Sequence, residues 1–226
     1  MANDDTKTRW IPTPPAILSF PHLFEPQQDD DGKDKWSAAL VWPEGTDISE
    51  GLEIALAVGQ AKWPDFLEGV KSGKYHMPFR NDGEEKGYPE GSVFLNARSG
   101  RRPGLVSNVP DAKGLPTKIT EAQATDPDHP FHIYPGVIVQ ASLTAFTFER
   151  KGKKGVSFGL NNLMRVGDGE RLDSFTSAQS EFEADPDAVA DLSDLTGDEE
   201  PEAKVAPKGG ARKKSGLSLD DLMGGK

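Results

Sequence analysis

Three aromatic side chains and seven cations fall in two short stretches of this sequence, at spacings that suit an extended polyanion carrying exposed ring faces. In YPGVIVQASLTAFTFER, Val137, Val139, Ala141, Leu143 and Ala145 take one face of an extended strand. Gln140, Ser142, Thr144, Phe146 and Phe148 take the other, because strand side chains alternate with period two. Phe94, Asn96 and Arg98 oppose Val93, Leu95 and Ala97 in the same way, and Arg101 and Arg102 follow in the loop SGRRPG. Arg150, Lys151, Lys153 and Lys154 make a basic tip beyond Phe148. Unpaired nucleic acid needs this combination. A base stacked on an aromatic ring gains about 1–3 kcal/mol, and cationic loops hold phosphates while releasing counterions. The plainer reading is that Phe94, Phe146 and Phe148 plug the end of a barrel and the lysines form a solvated turn. A one-residue bulge would exchange the two faces.

Other chemistries lack support. His129 and His132 in DPDHPFH, beside Asp126 and Asp128, have an H-x-x-H spacing, but two prolines leave no helix to align them as metal ligands. GVKSGK at 69–74 is one residue short of a phosphate loop, and Tyr75 stands where Ser or Thr is required. The run Asp29–Asp30–Asp31–Gly32 lacks the ligand spacing of a calcium loop and reads as a turn. With no G-x-S-x-G or H-E-x-x-H, no enzyme, metal site or cofactor is expected.

Taken over the whole chain, the net charge of −11 opposes binding of a polyanion, yet ten acidic residues and no basic one lie between Glu181 and Glu202. The rest of the chain carries only −1, and a near-neutral body can hold a local basic patch. There is no Cys, which suits a reducing cytoplasm. The polar start resembles no signal peptide, and no apolar run approaches the ~20 residues of a membrane span. A cytoplasmic protein without membrane partners is expected.

The elements that must position these residues are mostly strands. AILSFPHLF at 16–24 reads as a strand interrupted at Pro21, which suits an edge or a bulge. KWSAALVW at 35–42 alternates Trp36, Ala38, Leu40 and Trp42 with Lys35, Ser37, Ala39 and Val41, after an Asp-rich hairpin turn. Asp47 and Glu50 form an Asp variant of the capping box. It opens one clear helix, with Ile48, Leu52, Ala55, Leu56 and Gly59 at helical spacing and a stop at Pro64. SVFLNAR at 92–98 is a strand, and residues 134–150 and 156–166 flank a short turn as a long hairpin. Pattern alone leaves a small barrel and a sandwich open.

Several of these segments resemble a phage family of single-stranded DNA-binding proteins with one OB-fold. The resemblance rests on Tyr134 and Gly136, Lys154 and Gly155, Gly159 to Asn162, and Asp168 to Glu170, with ILSFPHLFEP, KWSAALVWP and FLNARSGRRPGLV upstream. It implies a mainly β fold: a small OB-fold-like β-barrel over residues 11–175, a disordered N-terminus over 1–10, and a disordered acidic tail over 176–226. It further implies sequence-independent binding of single-stranded DNA in replication, recombination and repair, with replication or recombination proteins contacted through the tail. The tail here departs from a simple acidic end, since Lys208, Arg212, Lys213, Lys214 and the acidic–apolar peptide GLSLDDLM follow the acidic run. A β-barrel interaction adaptor that binds no nucleic acid is the alternative that the overall acidity favours.

Overall fold

The computed structural model describes residues 8–172. The disorder expected of residues 1–7 and of the acidic tail over 176–226, including its terminal peptide, falls outside the described residues.

Arg9 and Trp10, expected to be part of a disordered N-terminus, instead form a short strand, β1 (Arg9–Trp10), paired with residues Thr144 and Leu143. The cause is Trp10, which is fully buried with its ring centroid 5.4 Å from Trp42 and 5.9 Å from Phe158. Removing so large a ring from water fixes the segment that carries it.

Next come β2 (Ala16–Gln28), β3 (Asp34–Trp42) and β4 (Val93–Ser99), an antiparallel series, while β7 (Ile138–Arg150) and β8 (Lys153–Gly167) form the long hairpin. β2 also pairs with β7 through Ala16–Val139 and Ile17–Ile138, and β4 runs parallel to β8 through Arg98–Gly159. The pairings therefore run in a cycle, β2-β3-β4-β8-β7, in an OB-fold-like order. Two closures in that cycle are thin, so the sheet is ring-like rather than the continuous small barrel expected from the sequence. A hairpin of β5 (Gly104–Pro110) and β6 (Pro116–Lys118) extends the sheet from β8 beyond the ring.

The core follows from strand alternation. Ala38, Leu40 and Trp42, Leu95 and Ala97, Val139, Ala141, Leu143 and Ala145, and Phe158 and Leu160 all bury their side chains in one cluster. Helix α1 (Ser49–Lys62) closes over it through a stripe of Gly51, Ala55 and Gly59, because only small residues fit there. A Cβ at Gly51 would lie 2.5 Å from the Trp10 ring, and one at Gly59 would lie 2.3 Å from Phe66. The expected capping box does not form: Asp47 Oδ1 accepts from the Ser49 N–H at 3.0 Å, ahead of the helix. Two short helices, α2 (Phe66–Lys71) and α3 (Glu121–Thr125), accompany the one helix that the sequence made clear.

The Tyr134–Gly136 and Asp168–Glu170 motifs meet in space. Tyr134 Oη donates to the Gly169 carbonyl at 3.1 Å and accepts from the Gly169 N–H at 3.2 Å. Gly136 sits at φ 114°, where a Cβ would come within 2.0 Å of the Glu170 carbonyl oxygen. Gly136→Ala is therefore expected to destabilise the protein by roughly 1–3 kcal/mol through backbone strain alone, with backbone crowding added. Urea denaturation checks this, and an unchanged midpoint would refute it.

Candidate nucleic-acid interface

The outer face of β2, β3 and β4 holds an open groove of about 350 Å³. Its floor is β3, where Ser37 and Ala39 point outward and their small side chains leave the space vacant. Phe20, His22 and Gln27 line it from β2, Asn96 and Arg98 from β4, and Lys86 and Tyr88 from the loop before β4. Tyr88 Oη donates to Ser19 Oγ at 3.1 Å, which pins that loop to β2.

Phe20 is the unusual member. Its ring is 60% exposed, and its backbone lies at φ 45°, a left-handed conformation that costs an L-residue roughly 1–2 kcal/mol. The register between β2 and β3 slips between Ser19 and His22, so Phe20 stands on a bulge, the device by which a strand re-aims a side chain. Only one other aromatic among the described residues is comparably exposed: Phe146, at 45%. The two are linked across one surface. Arg98 lines the groove with Phe20 and pairs with Gly159, and a Cβ at Gly159 would lie 3.8 Å from the Phe146 ring. A continuous track thus runs from Phe20 past Arg98 to Phe146.

The residues picked out from sequence divide around this track. Phe94, expected to stack bases, is fully buried. Its outward position in β4 is covered, since Tyr88 packs edge-on at 5.3 Å and the Arg80 guanidinium lies 5.2 Å from its ring centroid. Arg80 and Phe94 also exchange backbone hydrogen bonds of 2.8 and 2.9 Å, which fold the preceding loop across the strand. Phe146 and Arg98 are exposed on the track. Phe148 is half-buried, edge-on to His76 at 6.0 Å. Arg101 is exposed in its loop, whereas Arg102 is held by Glu121 at 2.9 Å and lies 5.2 Å from the Phe24 ring centroid.

The basic hairpin tip is largely neutralised by the chain itself. Arg150 pairs with Asp31 and, at 3.6 Å, with Asp29; Lys151 pairs with Asp30 at 3.3 Å. Lys154 pairs with Glu149 at 3.4 Å, and Lys62 holds the same carboxylate at 3.0 Å. The Arg150 hydrogen bond keeps the Asp31 carboxyl below the usual carboxylate range. Asp29 is lowered first by the Lys33 backbone N–H, which it accepts at 3.0 Å. Of the seven cations picked out from sequence, Arg98, Arg101 and Lys153 form no ion pair with a carboxylate among the described residues.

Sequence reasoning missed Phe20, His22 and Lys86. The signal for Phe20 was an aromatic directly before Pro21 inside a strand, where a bulge was expected without the outward-turned ring being inferred from it. In the DPDHPFH segment, His129 Nδ1 accepts the Phe131 N–H at 3.0 Å within a turn. Among the described residues, no cluster of His, Asp and Glu is placed to hold a metal, and no helix is long and apolar enough to cross a membrane.

The described residues thus form a ring-like, mainly β sheet with an open groove on its outer face, edged by an exposed aromatic. The chain belongs to the family described as Enterobacter phage Enc34, ssDNA-binding protein, whose model matches residues 11–193. Among solved structures, it is similar to the single-stranded DNA-binding protein from bacteriophage Enc34, at 19% identity and a TM-score of 0.52 over 74% of this chain and 86% of that one. The same phage protein in complex with ssDNA matches at 21% identity and a TM-score of 0.53, over 70% and 86% of the two chains. Likeness at this identity establishes a shared fold. No curated protein sequence matches the chain.

Proposed function

We propose that this protein binds single-stranded DNA without regard to sequence, in phage DNA replication, recombination and repair in the host cytoplasm. The observation that carries this reading is the Phe20–Arg98–Phe146 track: the two most exposed aromatics among the described residues, with an open groove beside Phe20 and Arg98. Phe20 and Phe146 stack bases; Arg98 and Lys86 hold phosphates beside the groove; Arg101, Lys153 and the hairpin cations Arg150, Lys151 and Lys154 extend the phosphate contacts. Phe148 and Arg102 flank these contacts. Stacking on ring faces is indifferent to base identity, and a duplex hides those faces, so the site selects unpaired strands. Family membership supports the reading, and so does the likeness to a phage protein solved in complex with ssDNA. Protein partners engage residues 176–226.

The test is fluorescence anisotropy of a labelled oligothymidine across a salt series, with matched duplex as competitor. Binding should fall with salt, with a log–log slope of about −0.7 per phosphate contacted, and should be insensitive to duplex. Absence of binding by both the full chain and a version lacking residues 176–226 would overturn the proposal and favour a protein-interaction adaptor.

A further inference from the structure

The two hairpins that carry the ends of the track are tied together at their tips. Gln27 lines the groove and pairs with Lys35 at the base of the β2–β3 turn; Phe146 lies on β7, four residues before Arg150. Asp29 Oδ1 accepts the Asp31 and Lys33 N–H groups at 2.9 and 3.0 Å, so the β2–β3 turn is rigid and presents its remaining carboxylates outward. Those carboxylates meet Arg150 and Lys151, cations of the opposite hairpin. Phosphate oxygens and aspartate carboxylates are alternative partners for the same guanidinium and ammonium groups. Both hairpins cannot keep this tie while Arg150 and Lys151 serve a strand.

We propose that the Asp29–Asp31 turn is an electrostatic latch that a bound strand's phosphates must displace from Arg150 and Lys151. The proposal rests on the single-strand reading above and adds its regulation. With the latch closed, Arg150 and Lys151 are masked and the site presents the groove with Arg98, Arg101 and Lys153. A strand long enough to run past Phe146 brings several phosphates to the tip and takes over both cations. A short strand that ends in the groove does not. The ion pairs involved are exposed, hence individually weak and screened by salt, which lets a polyanion replace them. The latch therefore makes the protein discriminate by strand length through a contact made within its own chain.

The chain contains no cysteine, so one engineered pair can be joined selectively. Asp30→Cys combined with Lys151→Cys, linked by a short bis-maleimide in the otherwise full-length protein, holds the hairpins together. Affinity for a labelled oligothymidine of about 30 nucleotides should fall by an order of magnitude or more on linking, relative to the same double variant left unlinked. Asp30→Asn with Asp31→Asn should tighten binding several-fold at low salt, beyond the effect of Asp126→Asn with Asp128→Asn, which removes two charges elsewhere. Equal affinity of linked and unlinked protein, or equal effects of the two neutralised pairs, would overturn the latch while leaving the single-strand function standing. Absence of binding by the unmodified protein would overturn the function and the latch with it.

Discussion

Replacing both Phe20 and Phe146 with Ala is expected to weaken oligothymidine binding by at least about 25-fold. Each stacked base contributes about 1–3 kcal/mol, or roughly 5- to 150-fold. The two rings stand on separate strands, so their losses add. The single Phe20 variants separate stacking from strain. Phe20→Ala and Phe20→Gly remove the ring equally and should bind equally weakly. Glycine tolerates φ 45° without penalty, so the Gly variant should be the more stable of the two by about 1–2 kcal/mol. Anisotropy and chemical denaturation on the three proteins read both effects. If Phe20→Ala binds as tightly as the parent, the exposed ring is not a stacking platform and the track begins elsewhere.

Phe94→Ala should produce the opposite pattern: a loss of about 3–5 kcal/mol of folding stability, with the folded fraction binding DNA as the parent does. Phe94 is wholly enclosed by Tyr88, Val41 and the Arg80 guanidinium, so its removal leaves a cavity that the rigid strands cannot fill. Denaturant midpoints and the affinity measured on folded protein decide the matter. Weakened affinity at unchanged stability would return Phe94 to the binding face.

Phe94 and Phe20 illustrate what was legible in the sequence. Period-two alternation placed Phe94 on the outward face of its strand, which is where it lies. Alternation carries no information about whether another segment covers that face, and the covering loop, residues 80–92, has no periodic pattern of its own. The strands β2, β3, β4, β7 and β8 were readable because each buries an apolar stripe, whereas β5 and β6 are short and flanked by turns. Trp10 was hidden by the charged residues that precede it. The cations of the hairpin tip are adjacent in sequence and so are legible as a cluster. Its partners, Asp29, Asp30 and Asp31, lie some 120 residues earlier, so their pairing is a product of topology that local sequence does not express.

The parallel contact between β4 and β8, a single residue pair at Arg98 and Gly159, divides the ring into two halves: β2-β3-β4 on one side and the β7–β8 hairpin on the other. Local opening in proteins follows the places where few backbone bonds cross, and this seam is such a place. The proposed track crosses it, with Phe20 on one half and Phe146 on the other. A strand lying along the track would therefore span the seam itself, taking over from the ion pairs at the hairpin tips the task of bridging the two halves.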